Sequence, residues 1–272
     1  MNYDSPLINN PESIPDVLYK YRDWEDSNHK KILTDCEIYF PSFDQFNDPF
    51  DGTIPVRYRP EDLKPENIFT KLFSLAKHEH PDLTEQQLHE LCFKNQREGY
   101  ITDESRMVTI NEFFHRKMNK EFGIFSLADN CSNHLMWSHY SNSHKGICIG
   151  FNVNELKSLI GGGCGIFSMY YKNELPYFDL YEDDMKYLKK LLCSKSSVWT
   201  YEQEYRIIRF GFARKILKIT PKAISEVIFG LMMDHKTKME ILELIKNNFP
   251  DTKVFEAKRN TNLFAIDIEQ IY

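Results

Sequence analysis

Hydrophobic residues recur with two different periods along the chain. Short runs rich in β-branched and aromatic residues lie near the start and again after residue 122, and they predict strands. Between them, residues 61–120 carry apolar side chains three and four positions apart, such as Leu72, Leu75 and Ala76, which predicts helices. Strands and helices do not alternate strictly, so the pattern favours an α+β fold over a doubly wound α/β fold.

We therefore predict a single α+β domain over residues 17–272, with a mixed, mostly antiparallel sheet and a helical insertion at about 61–120. Residues 1–16 contain three Pro and little pattern, which indicates a surface lead-in. The predicted strands are 17–22, 37–40, 122–127, 146–151, 166–171, 205–210, 216–219, 227–230, 254–257 and 264–268. The other predicted helices are 25–34, 153–160, 181–193 and 235–248, with a turn or short helix at 135–140. Gly211 predicts a hairpin between 205–210 and 216–219.

Composition and charge narrow the class of protein. Aromatic residues make up 14% of the chain and hydrophobic residues 42%, which argues against a disordered protein. No apolar run reaches the length of a membrane span and no secretory signal is visible, so we predict a cytoplasmic protein with no membrane partner. The net charge of −6 argues against binding nucleic acid by charge alone. The six Cys lack Cys-x-x-Cys spacing, which favours a reduced compartment over a zinc ribbon or a disulfide scaffold.

The strongest candidate for chemistry is the pair Glu202 and Glu204, which lies among Trp and Tyr residues. On a strand, residues two apart share a face, so the two carboxylates would project together. Such a pair suits acid–base work or the stabilisation of a positive transition state. The alternative is a solvated strand end in which Glu204 pairs with a nearby Arg.

Two further segments carry polar groups next to aromatic residues. Arg22 ends the first predicted strand, where its planar fork could hold a phosphate or simply lie over Tyr rings. Asn47 and Asp48 occupy a loop anchored by Phe and Pro, and Asp48 precedes Pro49, which holds it out of the helical region. A rigid loop of this kind can bind a ribose or a metal, or it can be a structural turn.

The segment from His134 to His144 is dense in His, Ser and aromatic residues. Three His recur every five residues, a spacing that neither a helix nor a strand places on one face, so a three-His metal site is disfavoured. We instead predict that His139 or His144 donates hydrogen bonds in a pocket lined by Trp137 and Tyr140. A nucleophilic Ser138 beside His139 is disfavoured because adjacent residues seldom face each other.

Four segments together resemble the bacterial family catalogued as domain of unknown function 2971. They are Tyr19–Arg22, Phe46–Asp51, the stretch from Phe125 to Gly146 and Trp199–Arg206, and Val227–Leu231 follows in the same order. The resemblance covers residues 17–268. It implies an intracellular bacterial protein, some of whose relatives occur in phage-defence settings, and it names no biochemistry.

A second resemblance is to the ADP-ribosyltransferase fold. One branch of that fold uses an Arg on its first strand, a Ser on a middle strand and a Glu-x-Glu on a late strand, and Arg22, Ser126 and Glu202-Gln203-Glu204 occur in that order. The usual Ser-Thr-Ser is Ser126-Leu127-Ala128 here, and the gaps are longer than in compact members.

This resemblance implies NAD as the cofactor. It implies that Arg22 binds the pyrophosphate of NAD and that Ser126 helps to order the nicotinamide pocket. Glu204 would bond the ribose hydroxyl and stabilise the oxocarbenium-like state, and Glu202 would deprotonate the acceptor.

The aromatic residues of the central segment complete the implied nucleotide site. Tyr140 or Trp137 would stack on the nicotinamide ring. The sequence leaves three alternatives for the acceptor of ADP-ribose: a protein, a nucleic acid or water.

Two other functions compete with NAD cleavage. A metal-dependent nuclease would use Asp48, Glu202 and Glu204 as Mg²⁺ ligands, with Lys195 or Lys20 as a catalytic Lys. A sensor would bind a nucleotide in the same aromatic, carboxylate-lined pocket without turning it over.

Overall fold

The fold is known from a computed structural model that describes residues 14–161, 163–182 and 184–272. Most of the predicted lead-in, residues 1–13, lies outside the described residues. Within them, no helix combines the length and the apolar character needed to cross a membrane.

An eight-stranded sheet forms the centre of the fold, and it confirms the predicted α+β class. Its strands in spatial order are β12 (Ile266–Gln270), β11 (Lys253–Arg259), β10 (Ile224–Phe229), β4 (Ile147–Asn152), β1 (Val17–Arg22), β3 (Phe122–Ala128), β8 (Glu204–Phe210) and β5 (Cys164–Ser168). Neighbouring strands pair antiparallel except β10 and β11, which are parallel.

Two small ribbons flank the sheet, and one corrects the sequence prediction. β2 (Glu37–Phe40) pairs with β9 (Lys215–Lys218), and β6 (Tyr170–Lys172) pairs with β7 (Ser194–Ser196). The predicted hairpin of β8 with β9 is therefore wrong. Arg214 adopts a φ of 59° and donates its backbone N–H to Phe40 O at 2.8 Å, which directs the chain toward β2.

Helices form where the three-and-four spacing predicts them. They are α1 (Ser27–Thr34), α2 (Pro65–Glu79), α3 (Glu85–Arg97), α4 (Glu104–Glu121), α5 (His134–Tyr140), α6 (Val153–Ile160), α7 (Asp184–Cys193) and α8 (His235–Asn248). The Thr84 hydroxyl and the Gln87 side chain form a capping box at the start of α3, as the sequence indicates. Side chains of Asp26 and Asn133 cap α1 and α5 in the same way.

Apolar side chains cover both faces of the sheet. On β8, Ile207 lies in one buried cluster and Ile208 in another, because successive strand residues point to opposite faces. The first cluster includes residues of α1, α6 and α8, and the second includes residues of α4 and α7. Helices on both faces thus hold the sheet rigid around its centre.

The sheet is split between β1 and β3. Among the described residues these strands pair at one position, Tyr19 with Ala128, whereas β1 pairs with β4 along its whole length. The remainder of β1, from Lys20 to Arg22, diverges from β3 and leaves a gap in the sheet.

Candidate active site in the split of the sheet

A cavity of about 460 Å³ lies where β1 and β3 separate, and this volume is typical of a small-molecule site. Residues of β1, β3 and α5, the loop after β2 and the segment before β8 line it. Most of the residues predicted from sequence line this one cavity: Arg22, Asn47, Ser126, His139, Tyr140, Glu202 and Glu204.

Trp137 does not reach the cavity. Its side chain is fully buried, and its indole Nε1 donates to Cys131 O at 2.9 Å. The ring packs edge-on to Tyr21 with 5.1 Å between the ring centroids, and Tyr21 lines the cavity. Trp137 therefore supports the cavity wall from behind, and the expected stacking on a ligand falls to Tyr140.

Asp48 lies on the other side of the loop from Asn47. Its Oδ1 accepts the backbone N–H of Phe50 at 2.9 Å, and the residue lines a second, smaller cavity. The structure therefore does not bring Asp48 together with Asn47, Glu202 and Glu204.

Glu202 and Glu204 meet through a different geometry from the predicted strand alternation. Glu202 ends a 3-10 turn, Ser197–Glu202, and Glu204 begins β8. Gln203 between them is left-handed, with φ 44° and ψ 50°. This conformation is costly for a residue with a side chain, and it turns the chain so that both carboxylates reach the same cation.

That cation is Lys195 of β7, which the sequence indicated only as a candidate catalytic Lys of a nuclease. Its Nζ donates to Glu204 Oε2 at 2.9 Å, contacts Glu202 Oε2 and lies 3.7 Å from Asp51 Oδ2. The Lys195 side chain is 7% exposed, so this is a buried cluster of three carboxylates around one ammonium. The carboxylates raise the pKa of Lys195 against the opposing effect of its burial.

Arg206 completes the cluster from inside the sheet. It is fully buried, and its Nε donates to Glu204 Oε1 at 2.8 Å while Nη1 donates to Leu192 O at 2.7 Å. Its Nη2 contacts Asp51 Oδ2, which ties the loop after β2 to β8. Burial acts to raise the pKa of Glu204, but Arg206 and Lys195 lower it to about 2. Glu204 is thus a fixed anion.

Glu202 is held by fewer donors than Glu204. Apart from Lys195, it accepts a hydrogen bond from the Tyr140 hydroxyl at 2.6 Å. The Tyr140 pKa is raised by burial and by the Glu202 charge, so the phenol stays protonated as a donor. Asn47 Nδ2 lies 3.4 Å from the same hydroxyl. The Glu202 carboxylate therefore keeps acceptor capacity for a ligand.

Two cations line the opposite wall without a carboxylate partner among the described residues. Lys20 and Arg22 are two apart on β1, and Lys20 Nζ donates to Ser126 O across the split. Burial and the neighbouring Arg22 lower the pKa of Lys20, and burial lowers the pKa of Arg22 to about 10. Arg22 Nε is buried without a hydrogen-bond partner. An anionic ligand would satisfy this wall.

The loop between α5 and β4 is pressed against β1 beside these cations. Asn142, Ser143 and His144 are all left-handed, with φ of 50°, 54° and 69°. A Cβ at Gly146 would lie 2.1 Å from Arg22 O, so only glycine permits this approach. The close contact brings Asn142 to the cavity beside Arg22.

The three histidines of this region go to separate partners. His134 Nε2 lies 3.0 Å from Phe264 O, and His139 packs on Tyr140 in the cavity wall. Ser138 Oγ lies 3.1 Å from His144 Nε2 and is not paired with His139. His134, His139 and His144 therefore have separate partners.

Comparison with known proteins finds one family model that is similar to part of this chain. A family model described as a protein of unknown function, DUF2971, matches residues 136–207. Over these residues the chain is similar to the DUF2971 family. The match confirms the predicted family resemblance, although the prediction extended from residue 17 to 268. Searches of curated proteins and of solved structures found no significant match.

The DUF2971 region carries one side of the cavity and leaves the other side to the rest of the chain. Within the matched residues lie Tyr140, Lys195, Glu202 and Glu204. Arg22 and Ser126 lie outside the match. The family match therefore covers Glu202, Glu204 and their donors Lys195 and Tyr140. Asp51 comes from the loop after β2, and the cationic wall comes from β1.

Proposed function

We propose that the protein binds NAD in the cavity at the split of the sheet and cleaves the bond between nicotinamide and ribose, transferring ADP-ribose to an acceptor. The observation that carries this proposal is the placement of Arg22, Ser126 and Glu204 on the adjacent strands β1, β3 and β8 around one cavity. The ADP-ribosyltransferase resemblance implies these three residue types in this order.

Charge separation within the cavity supports a ligand that is anionic at one end. Tyr19, Ala128 and Glu204 lie in register across the three strands, and Arg22 is three residues further along β1. At about 3.3 Å per residue and about 4.8 Å between strands, a regular sheet would place the Cα atoms of Arg22 and Glu204 roughly 14 Å apart, and the divergence of β1 from β3 adds to this separation. A diphosphate on Arg22 and Lys20 would leave the glycosidic bond of a dinucleotide near the carboxylates.

The fixed charge of Glu204 suits the cleavage step. As the ribose C1′–N bond breaks, its electron pair moves to the nicotinamide ring, which leaves neutral, and the sugar gains positive charge. A carboxylate held ionised by Arg206 and Lys195 stabilises that charge without waiting for a proton to leave.

Glu202 suits the transfer step. The acceptor forms the new bond to C1′ and loses a proton, which passes to the Glu202 carboxylate. The Tyr140 hydroxyl holds Glu202 Oε1 in place for this exchange.

The competing functions give different results with the same purified protein. We expect NAD to raise the melting temperature more than nicotinamide riboside does, since the riboside lacks the diphosphate that Arg22 and Lys20 would hold. We also expect nicotinamide and ADP-ribosylated product, unchanged by a chelator. A sensor would show the melting shift without product. A nuclease would cut nucleic acid, would lose this activity with chelator and would not need NAD.

A further inference from the structure

A second cavity lies behind the wall formed by Asp51 and Lys195. Its volume is about 250 Å³, and Asp48 and Asp51 contribute to its lining together with Phe50, Leu175, Ser194 and Ser196. Asp51 and Lys195 line both this cavity and the larger one. At this volume the smaller cavity admits one long side chain and is too small for a dinucleotide.

Asp48 and Asp51 line this cavity, and each has one carboxylate oxygen without a hydrogen-bond partner in the protein. Asp48 is 5% exposed and Asp51 is 3% exposed. Asp48 Oδ1 accepts the Phe50 N–H and Asp51 Oδ2 accepts from Arg206, but Asp48 Oδ2 and Asp51 Oδ1 are both buried and unpaired. Buried acceptors are nearly always satisfied, so these two oxygens have acceptor capacity for a donor from outside the chain.

We propose that this second cavity binds a primary alkylammonium group, the chemistry of a lysine side chain or a small aliphatic amine. Each carboxylate offers one free oxygen because its other oxygen is already bonded. A guanidinium needs both oxygens of one carboxylate for its bidentate fork, whereas an ammonium directs three separate donors. Two single acceptors on different residues therefore match an ammonium.

The rim of the cavity suits an aliphatic stem. Phe50 and Leu175 are 69% and 40% exposed, although both are large apolar residues. Their side chains line the cavity that ends at the aspartates. Methylene groups of an alkylammonium would cover this apolar surface while the charged end reaches the carboxylates.

The cations already present do not satisfy this site. Lys195 is held by Glu202, Glu204 and the other oxygen of Asp51. Lys172 also lines the cavity, but its residue is exposed at the rim. The inference concerns binding and does not depend on NAD cleavage, yet a ligand here would lie one residue layer from Glu202.

Calorimetric titration of the full chain with n-butylammonium tests this proposal. At constant ionic strength we expect saturable binding, with n-butylguanidinium at least tenfold weaker and n-butanol not bound. Asp48→Asn keeps Oδ1 for the Phe50 N–H and replaces the free oxygen with an amide donor. The substitution should therefore weaken the binding of n-butylammonium at least tenfold. Glu174→Gln removes the same charge at the exposed rim and should change binding less than twofold.

A second variant tests the stem without touching the buried carboxylates. Phe50 is largely exposed, so Phe50→Ala should fold normally. It should weaken the binding of n-butylammonium more than the binding of methylammonium. No saturable binding to the wild type would overturn the proposal. So would equal binding by folded Asp48→Asn, or n-butylguanidinium binding as tight as n-butylammonium.

Discussion

Lys195 Nζ donates a hydrogen bond to Glu204 Oε2 at 2.9 Å, and the pair is almost fully buried. The two residues are nine positions apart along the chain, and they lie on different strands. Together with Arg206, which lowers the pKa of Glu204 more strongly, the ammonium holds Glu204 ionised, and it also contacts Glu202. The arrangement of the carboxylates therefore depends on a Lys outside the Glu-x-Glu motif.

Removal of Lys195 should destabilise the protein strongly. In Lys195→Met the carboxylates of Asp51, Glu202 and Glu204 lose their shared cation, and uncompensated buried charge costs about 3–5 kcal/mol. Urea unfolding at pH 7 measures this difference in free energy. Lys222→Met, at an exposed position, provides the control and should change stability by less than about 0.5 kcal/mol. Similar values for the two variants would contradict the buried cluster.

The contribution of Glu204 should depend on pH in one direction. Its pKa is about 2 in the folded protein against an ordinary 4.5. Between these two values the folded protein therefore binds fewer protons at this residue than the unfolded chain does. The stabilisation, on the order of 3 kcal/mol, should be complete above about pH 5 and should be lost as pH falls toward 2. The free energy of unfolding of the wild type minus that of Glu204→Gln, measured from pH 2 to 6, reports it. A difference that grows as pH falls would contradict this assignment.

Replacement of Arg22 should stabilise the free protein and weaken anion binding. Arg22 is desolvated, which lowers its pKa to about 10, and its buried Nε has no partner. Arg22→Met should therefore raise the free energy of unfolding by about 1–3 kcal/mol. The same change should raise the Kd for ADP-ribose tenfold or more, as loss of a charge-assisted bond costs about 1.5–3 kcal/mol.

Arg22→Lys separates charge from geometry in this prediction. It keeps the cation but loses the planar fork, so its Kd should lie between those of the wild type and Arg22→Met. Arg22→Met that is less stable than the wild type and binds ADP-ribose equally well would refute a ligand-binding role.

The conformation of Gln203 makes a backbone prediction. Glycine adopts a φ of 44° without steric cost, so Gln203→Gly should be neutral or stabilising by up to about 1 kcal/mol. Gln203→Val places a β-branched side chain in the left-handed region and should destabilise by about 1–2 kcal/mol. Thermal unfolding of the two variants side by side checks the order. Equal melting temperatures would contradict the left-handed turn.

Local patterns predicted the elements well. β1, β2, α6 and α8 have the predicted bounds, because each is marked by its own alternation, period or capping residues. The α+β class also followed from the sequence. Arg22, Asn47, Tyr140 and Glu204 line one cavity, and their role as site residues stays a prediction.

Strand pairings and contacts between residues far apart in the sequence were harder to predict from local patterns. The pairing of β9 with β2 in place of β8 depends on the backbone of Arg214, which propensity does not reveal. The roles of Lys195 and Arg206 arise from contacts across the fold, and a Lys near a basic helix gave no sign of burial. Trp137 was misjudged because an aromatic residue in the core has the same local pattern as one in a cavity wall.

Release of nicotinamide from NAD tests the central claim most directly. The wild type should release nicotinamide, alone or with a bacterial lysate that supplies acceptors, and Glu204→Gln should release at least a hundredfold less while still binding ADP-ribose. Folding of the variant is checked by circular dichroism at pH 7. A folded wild type that binds NAD and releases no nicotinamide under either condition, or a Glu204→Gln variant as active as the wild type, would contradict the proposed chemistry.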